Sequence, residues 1–152
     1  MKILGLADLE VPAVYSPNIK TRFNDIDLVI SCGDLTPTYL EFVVSMLDLP
    51  VYYVHGNHVA KIEDHEGNLQ TDPQGAINLH KNVVYDNAND LILAGIQGSL
   101  VYNFRPYQYS QRRMWAMVYS LVPRLMINKA TYGRYLDIFV THAAATGIHD
   151  DY

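Results

Sequence analysis

Short apolar runs with no helical period recur along this chain, and each gives way abruptly to polar residues. Lys2–Ala7, Leu28–Cys32, Val51–Val54 and Leu136–Val140 are runs of this kind. Their length and β-branched content predict buried strands. Between the second and third the pattern changes period. Leu40, Val43, Val44 and Leu47 make one apolar stripe, Thr36 suits the N-cap, Pro37 suits the first helical position, and Pro50 closes the segment. Strand, helix and strand at this spacing predict a βαβ unit with parallel strands, whose carboxyl ends point the same way.

The middle of the chain is less regular. Lys61–Gln74 is polar and predicts an exposed loop, whereas Val83–Tyr85 and Leu91–Ile96, joined by "DNAND", predict a β-hairpin. Tyr102–Tyr109 is aromatic, carries Arg105 and Pro106, and predicts another loop. From Met114 to Leu125 apolar residues recur at helical spacing, with Pro123 inside the pattern predicting a kink or break. The result is an α/β fold, and 152 residues suit one domain with a sizeable core.

The strand ends carry the chemistry. Asp8, Gly33-Asp34, Gly56-Asn57-His58 and Thr141-His142 each follow an apolar run, and ligands of parallel α/β sheets bind beyond the carboxyl ends of the strands. Asp8, Glu10, Asp34, Asn57 and His142 offer carboxylates, an amide oxygen and an imidazole. That mixture suits manganese, iron or zinc, with magnesium less favoured by the imidazole. Two such cations can share one carboxylate and activate water against phosphorus. Asp34, on the middle strand, is the natural bridge.

Composition narrows the partners. Hydrophobic residues make up 49% and charged residues 18%, which is globular; the net charge of -5 argues against nucleic acid as the main partner. The single Cys32 excludes an internal disulfide and suits a reducing cytoplasm. No targeting segment is expected, and the longest apolar stretch, Met114–Pro123, is about half a membrane span. A cytoplasmic protein without a membrane partner is the expectation.

"GD" and "GNH" after apolar strands, with a later "VTH", resemble the calcineurin-like metallophosphoesterases. The resemblance runs from Lys2 to about Asp150. It implies a four-layer α/β/β/α sandwich around a dinuclear centre, and hydrolysis of a small phosphomonoester or phosphodiester by a hydroxide bridging two divalent metals, manganese foremost. It further implies that Asp8 and Glu10 hold the first metal, that Asp34 bridges, and that Asn57 and His142 hold the second. His58 would lie beside the phosphate, and Asp34 and His58 together would carry the catalytic roles.

The chain departs from the family pattern in four places. Glu10 stands where the pattern has His, Val59 where Asp or Glu would orient His58, and Ala143–Ala145 where relatives place Gly or Pro. No G-H-x-H occurs before Tyr152, so the expectation is a domain truncated at its C-terminus. The alternatives are a degenerate module that binds metal or phosphate without turnover, and a subunit completed by a partner chain, possible as a homo-oligomer. Of the remaining histidines, His55 is expected to be packed inside, His65 and His80 exposed, and His149 part of a solvated tail. Tyr102, Tyr107, Tyr109 and Arg105 could line a substrate cleft, but ordinary packing is the expectation.

Overall fold

The computed structural model describes residues 1–58, 62–63 and 69–144, and the fold is mixed α/β. Strands β1 (Ile3–Leu6), β2 (Leu28–Ser31) and β3 (Val51–Tyr53) lie side by side in the order β1-β2-β3, all parallel. Helices α1 (Ile19–Arg22) and α2 (Pro37–Leu47) make the crossovers that parallel pairing requires. Thr36 caps α2 as its residue type dictates, its hydroxyl accepting from the Tyr39 N–H at 3.3 Å. The helix stops before Pro50: Asp48 takes the left-handed conformation and its N–H returns to the Val44 carbonyl.

After β3, β4 (Ile62–Glu63) pairs antiparallel with β5 (Leu69–Gln70), within the segment expected to be an exposed loop. Strand β6 (Ile77–Asn78) adds a fourth parallel strand beside β3. The chain then passes to a second sheet, ordered β11-β8-β7. The expected hairpin is present: β7 (Val83–Asp86) runs antiparallel to β8 (Leu91–Ile96). Strand β11 (Ile138–Thr141) lies parallel to β8 on its other side. A short parallel pair, β9 (Ser99–Leu100) with β10 (Gln108–Tyr109), closes the aromatic loop on itself.

The apolar pattern from Met114 to Leu125 divides into α3 (Gln111–Tyr119) and α4 (Val122–Tyr132). Pro123 is the reason, and it falls in the first turn of α4, where its missing N–H has no partner to lose. No helix among the described residues is long and apolar enough to cross a membrane.

Period-two alternation on the strands feeds three separate apolar clusters. Val29, Val51 and Tyr53 pack with Leu40, Val43 and Leu47 of α2. Leu28, Ile30, Tyr52 and Val54 point the other way and meet Leu93 and Val140 of the second sheet. Ile92, Ala94 and Ile96 turn outward from that sheet onto Met117 and Leu121.

His80 departs from its expected exposure. It is half-buried at the passage between the sheets, where its Nδ1 accepts the Gln97 N–H at 3.2 Å and its ring stacks on Tyr109. Burial, reinforced by the charges of Lys81 and His55, pushes its pKa down to about 4. The unfolded ring titrates near 6.5. Between these values the unfolded chain binds a proton that the native one refuses, so the stability held by neutral His80 is complete above about pH 6.5 and drains as pH falls to about 4. Discounted for partial exposure, the loss is on the order of 2 kcal/mol. Urea unfolding at pH 7 and pH 4.5 should show this loss in the wild type. It should be largely absent in His80→Asn, whose amide oxygen still accepts from Gln97. Equal losses in both proteins would remove His80 as the cause.

Candidate metal centre

The parallel register of β1, β2 and β3 brings their carboxyl ends to one rim, and the loops that follow touch there. The Asp8 N–H donates to the Gly33 carbonyl at 3.1 Å. Asp8 and Asp34 both adopt positive φ (59° each), a conformation that Asp tolerates better than most residues because its short side chain can bond locally. Gly33, at φ 109°, brings its backbone against Gly56 and the His142 ring, where no side chain would fit. His142 comes from β11 and therefore from the second sheet. Its Nδ1–H donates to the Cys32 carbonyl at 2.8 Å, which ties the two sheets together at the rim.

One ligand atom each of Asp8, Asp34 and His142 lies within 4.8 Å of the others. The bond to Cys32 places the ring proton on Nδ1, because a carbonyl can only accept. Nε2 lies 2.8 Å from the Asn57 Oδ1 and 3.6 Å from an Asp34 carboxylate oxygen. Asn57 is buried, and its amide nitrogen donates to the Tyr102 hydroxyl, which fixes its oxygen toward His142. Acceptors thus converge from four residues. Such a group could hold a cation. Mixed oxygen and nitrogen donors at two carboxylates, an amide and an imidazole fit a first-row divalent ion.

His58 leans over this group from the solvent side. Its backbone N–H donates to Asp34 Oδ1 at 2.9 Å, and its Nδ1 lies 3.1 Å from Asp34 Oδ2. The side chain of His58 is 52% exposed against 12% for Asp34. With Nδ1 engaged, Nε2 faces outward, 3.4 Å from the Tyr102 hydroxyl. The carboxylate of Asp34 thus orients the ring.

Glu10 is the one expected ligand that lies apart from this group. It is exposed and does not join the group; its carboxylate accepts instead from the Thr36 hydroxyl at the start of α2. A helix N-terminus attracts a carboxylate, and the N-cap hydroxyl supplies the donor. Tyr102 departs from the expected ordinary packing. It belongs to the site, whereas Tyr107 stacks on His55 and Tyr109 accepts from Gln97, both as packing. No spacing signal singles out Tyr102, because the loop that delivers it is organised by β9 and β10.

His55 is buried as expected. Its Nε2 lies 2.9 Å from Asp72, which also accepts from the Tyr53 hydroxyl at 2.7 Å. Cys32 is half-buried against the cluster between the sheets; burial first, and the nearby Asp8 charge second, push its thiol pKa up. A thiol held neutral is a poor ligand. Val59, His65, Ala145 and His149 lie outside the described residues. No protein-family model matches this chain, and neither does any curated protein.

Proposed function

We propose that this chain is a divalent-metal-dependent phosphoesterase of the calcineurin-like type, acting on a small phosphomonoester or phosphodiester. The observation that carries the reading is the meeting of Asp8, Asp34, Asn57 and His142, drawn from two sheets and separated by up to 134 positions (142 − 8), with His58 beside them. The succession of three apolar clusters, helix on sheet, sheet on sheet and sheet on helix, supports a four-layer α/β/β/α arrangement.

Asp8, Asp34, Asn57 and His142 would hold the two divalent cations of this reading, manganese foremost. When bound, the cations would supply Lewis acidity at the phosphoryl oxygens and lower the pKa of an attacking water. The chain's own residues do the rest. Asp8, Asp34, Asn57 and His142 hold charge at the rim. His58, oriented by Asp34, presents Nε2 to the solvent face, where a leaving oxygen would emerge. In the reaction a water oxygen bonds to phosphorus as the ester P–O bond breaks. His58 is placed to give its Nε2 proton to the departing oxygen; of the attacking water's two protons, one stays on phosphate and the other restores the proton on His58.

The test is a Mn²⁺-supplemented assay of an aryl phosphodiester together with a Mn²⁺ binding isotherm. His58→Ala should bind Mn²⁺ within a few-fold of wild type and lose about 10²-fold or more in rate, the usual share of a positioned acid. Unchanged turnover would remove His58 from the chemistry.

A second reading is favoured by one observation, the engagement of Glu10 with Thr36. With that carboxylate elsewhere, the chain would be a scaffold that holds one weakly bound ion and turns nothing over. Mn²⁺ binding without any hydrolysis would favour it.

A further inference from the structure

A cavity of about 820 Å³ opens beside the candidate centre, between the β9–β10 loop, α3 and β11. Two links make it continuous with the centre. Tyr102 is part of its wall and also bonds Asn57; Thr141 and Ala143, the two neighbours of His142, line it as well. Most of the remaining wall is apolar: Leu100, Val101, Met114, Trp115, Val118 and Phe139. Among the described residues no Asp, Glu, Lys, Arg or His lines it. Several of these side chains are unusually open to water for their size, Trp115 at 52%, Leu100 and Phe139 each at 45%. Exposed apolar surface of this extent next to a polar site is characteristic of ligand clefts.

We propose, resting on the phosphoesterase reading above, that this cavity receives the organic portion of the substrate, and that this portion is uncharged, apolar and at least the size of a fused aromatic ring pair. The chemistry of the walls carries the claim. A second phosphate or a sugar-phosphate chain entering here would find no cation to replace its water, and burying it would be costly. An aryl or branched alkyl group would instead cover Trp115, Leu100 and Phe139 from water while its phosphoryl group sat at Asp34 and His142. The volume falls within the range of small-molecule sites and is far more than a methyl ester would use. Tyr102 marks the boundary, its ring in the apolar wall and its hydroxyl among the polar groups.

The chain's one tryptophan, Trp115, reports on the cavity directly, so binding can be read without turnover. The probes are 2-naphthylmethylphosphonate, methylphosphonate and the phosphate-free alcohol 2-naphthylmethanol, each titrated into the full chain with saturating Mn²⁺ and followed by Trp115 emission and by calorimetry. The naphthyl phosphonate should bind at least about 30-fold more tightly than methylphosphonate, from the apolar area it covers, and should alter the emission. It should also bind more tightly than the alcohol, and that advantage should vanish in Asp34→Asn. Leu100→Ser, at a half-exposed position, should narrow the gap between the two phosphonates about tenfold. Equal binding of both phosphonates with unchanged emission would overturn the inference and leave the phosphoesterase reading standing. A naphthyl group bound equally well with and without its phosphonate, and indifferent to Asp34, would overturn both.

Discussion

Asp34→Asn should lower Mn²⁺-dependent hydrolysis by about a thousandfold or more, with the fold intact. Three partners share this carboxylate: His58 through both its backbone N–H and its ring, His142 at 3.6 Å, and the Asp8 group. The substitution removes the central negative charge, which is the reason a cation would reside there, and half of what orients His58. Losses of this size are ordinary where one group serves both metal binding and positioning. Asparagine is the discriminating replacement because position 34 has φ 59°, a conformation Asn adopts as readily as Asp. Its amide oxygen can still accept the His58 N–H, so the loop should survive. The measurements are kcat/KM on an aryl phosphodiester, Mn²⁺ affinity, and the urea midpoint. Full activity at full stability would end the metallophosphoesterase reading. Lost activity with a collapsed midpoint would shift the explanation from charge to folding.

Most of the framework could be read from the chain because it depends on local chemistry. The apolar runs of β1, β2 and β3 are short and β-branched, and the α2 stripe with Thr36 and Pro37 admits one reading. The rim also follows, since parallel strands carry their ends to one side. What sequence spacing could not supply was long-range choice. Glu10 had two polar destinations within reach, and it bonds the Thr36 hydroxyl rather than joining Asp8, Asp34 and His142. His80 looks like a loop residue until the chain changes sheets and encloses it beside Gln97 and Tyr109. Tyr102 reaches Asn57 across 45 positions by way of a loop whose pairing, Ser99–Leu100 with Gln108–Tyr109, is too short to have a period.

The same reasoning explains why His142 arrives from another sheet. Its Nδ1 is bonded to a backbone carbonyl at the end of β2, so the contact between the sheets and the orientation of the imidazole are one structural fact. Packing of Val140 into the cluster between the sheets and the aim of Nε2 at Asn57 cannot be varied separately. Changes that loosen that cluster should therefore weaken the centre without touching a ligand.

Gly33→Ala is the sharpest case. Its backbone sits at φ 109°, where an L side chain is strained, and an added Cβ would lie 2.5 Å from the Gly56 nitrogen and 2.7 Å from the His142 Nδ1. Neither neighbour can yield cheaply: one is backbone, the other is tied to Cys32. The cost should be on the order of 3 kcal/mol or more, strain and overpacking together, and the loop should shift enough to separate His142 from Asn57. Two controls isolate the cause. Gly133→Ala carries positive φ (74°) with nothing within 4 Å of the new Cβ, so it should cost only about 1 kcal/mol. Gly5→Ala has open space and no such φ, and should be near neutral. Urea midpoints of the three variants should rank in that order, and only Gly33→Ala should weaken Mn²⁺ binding under conditions where it remains folded. If Gly33→Ala matched Gly133→Ala in both measurements, the close approach of the three loops at the rim would be wrong.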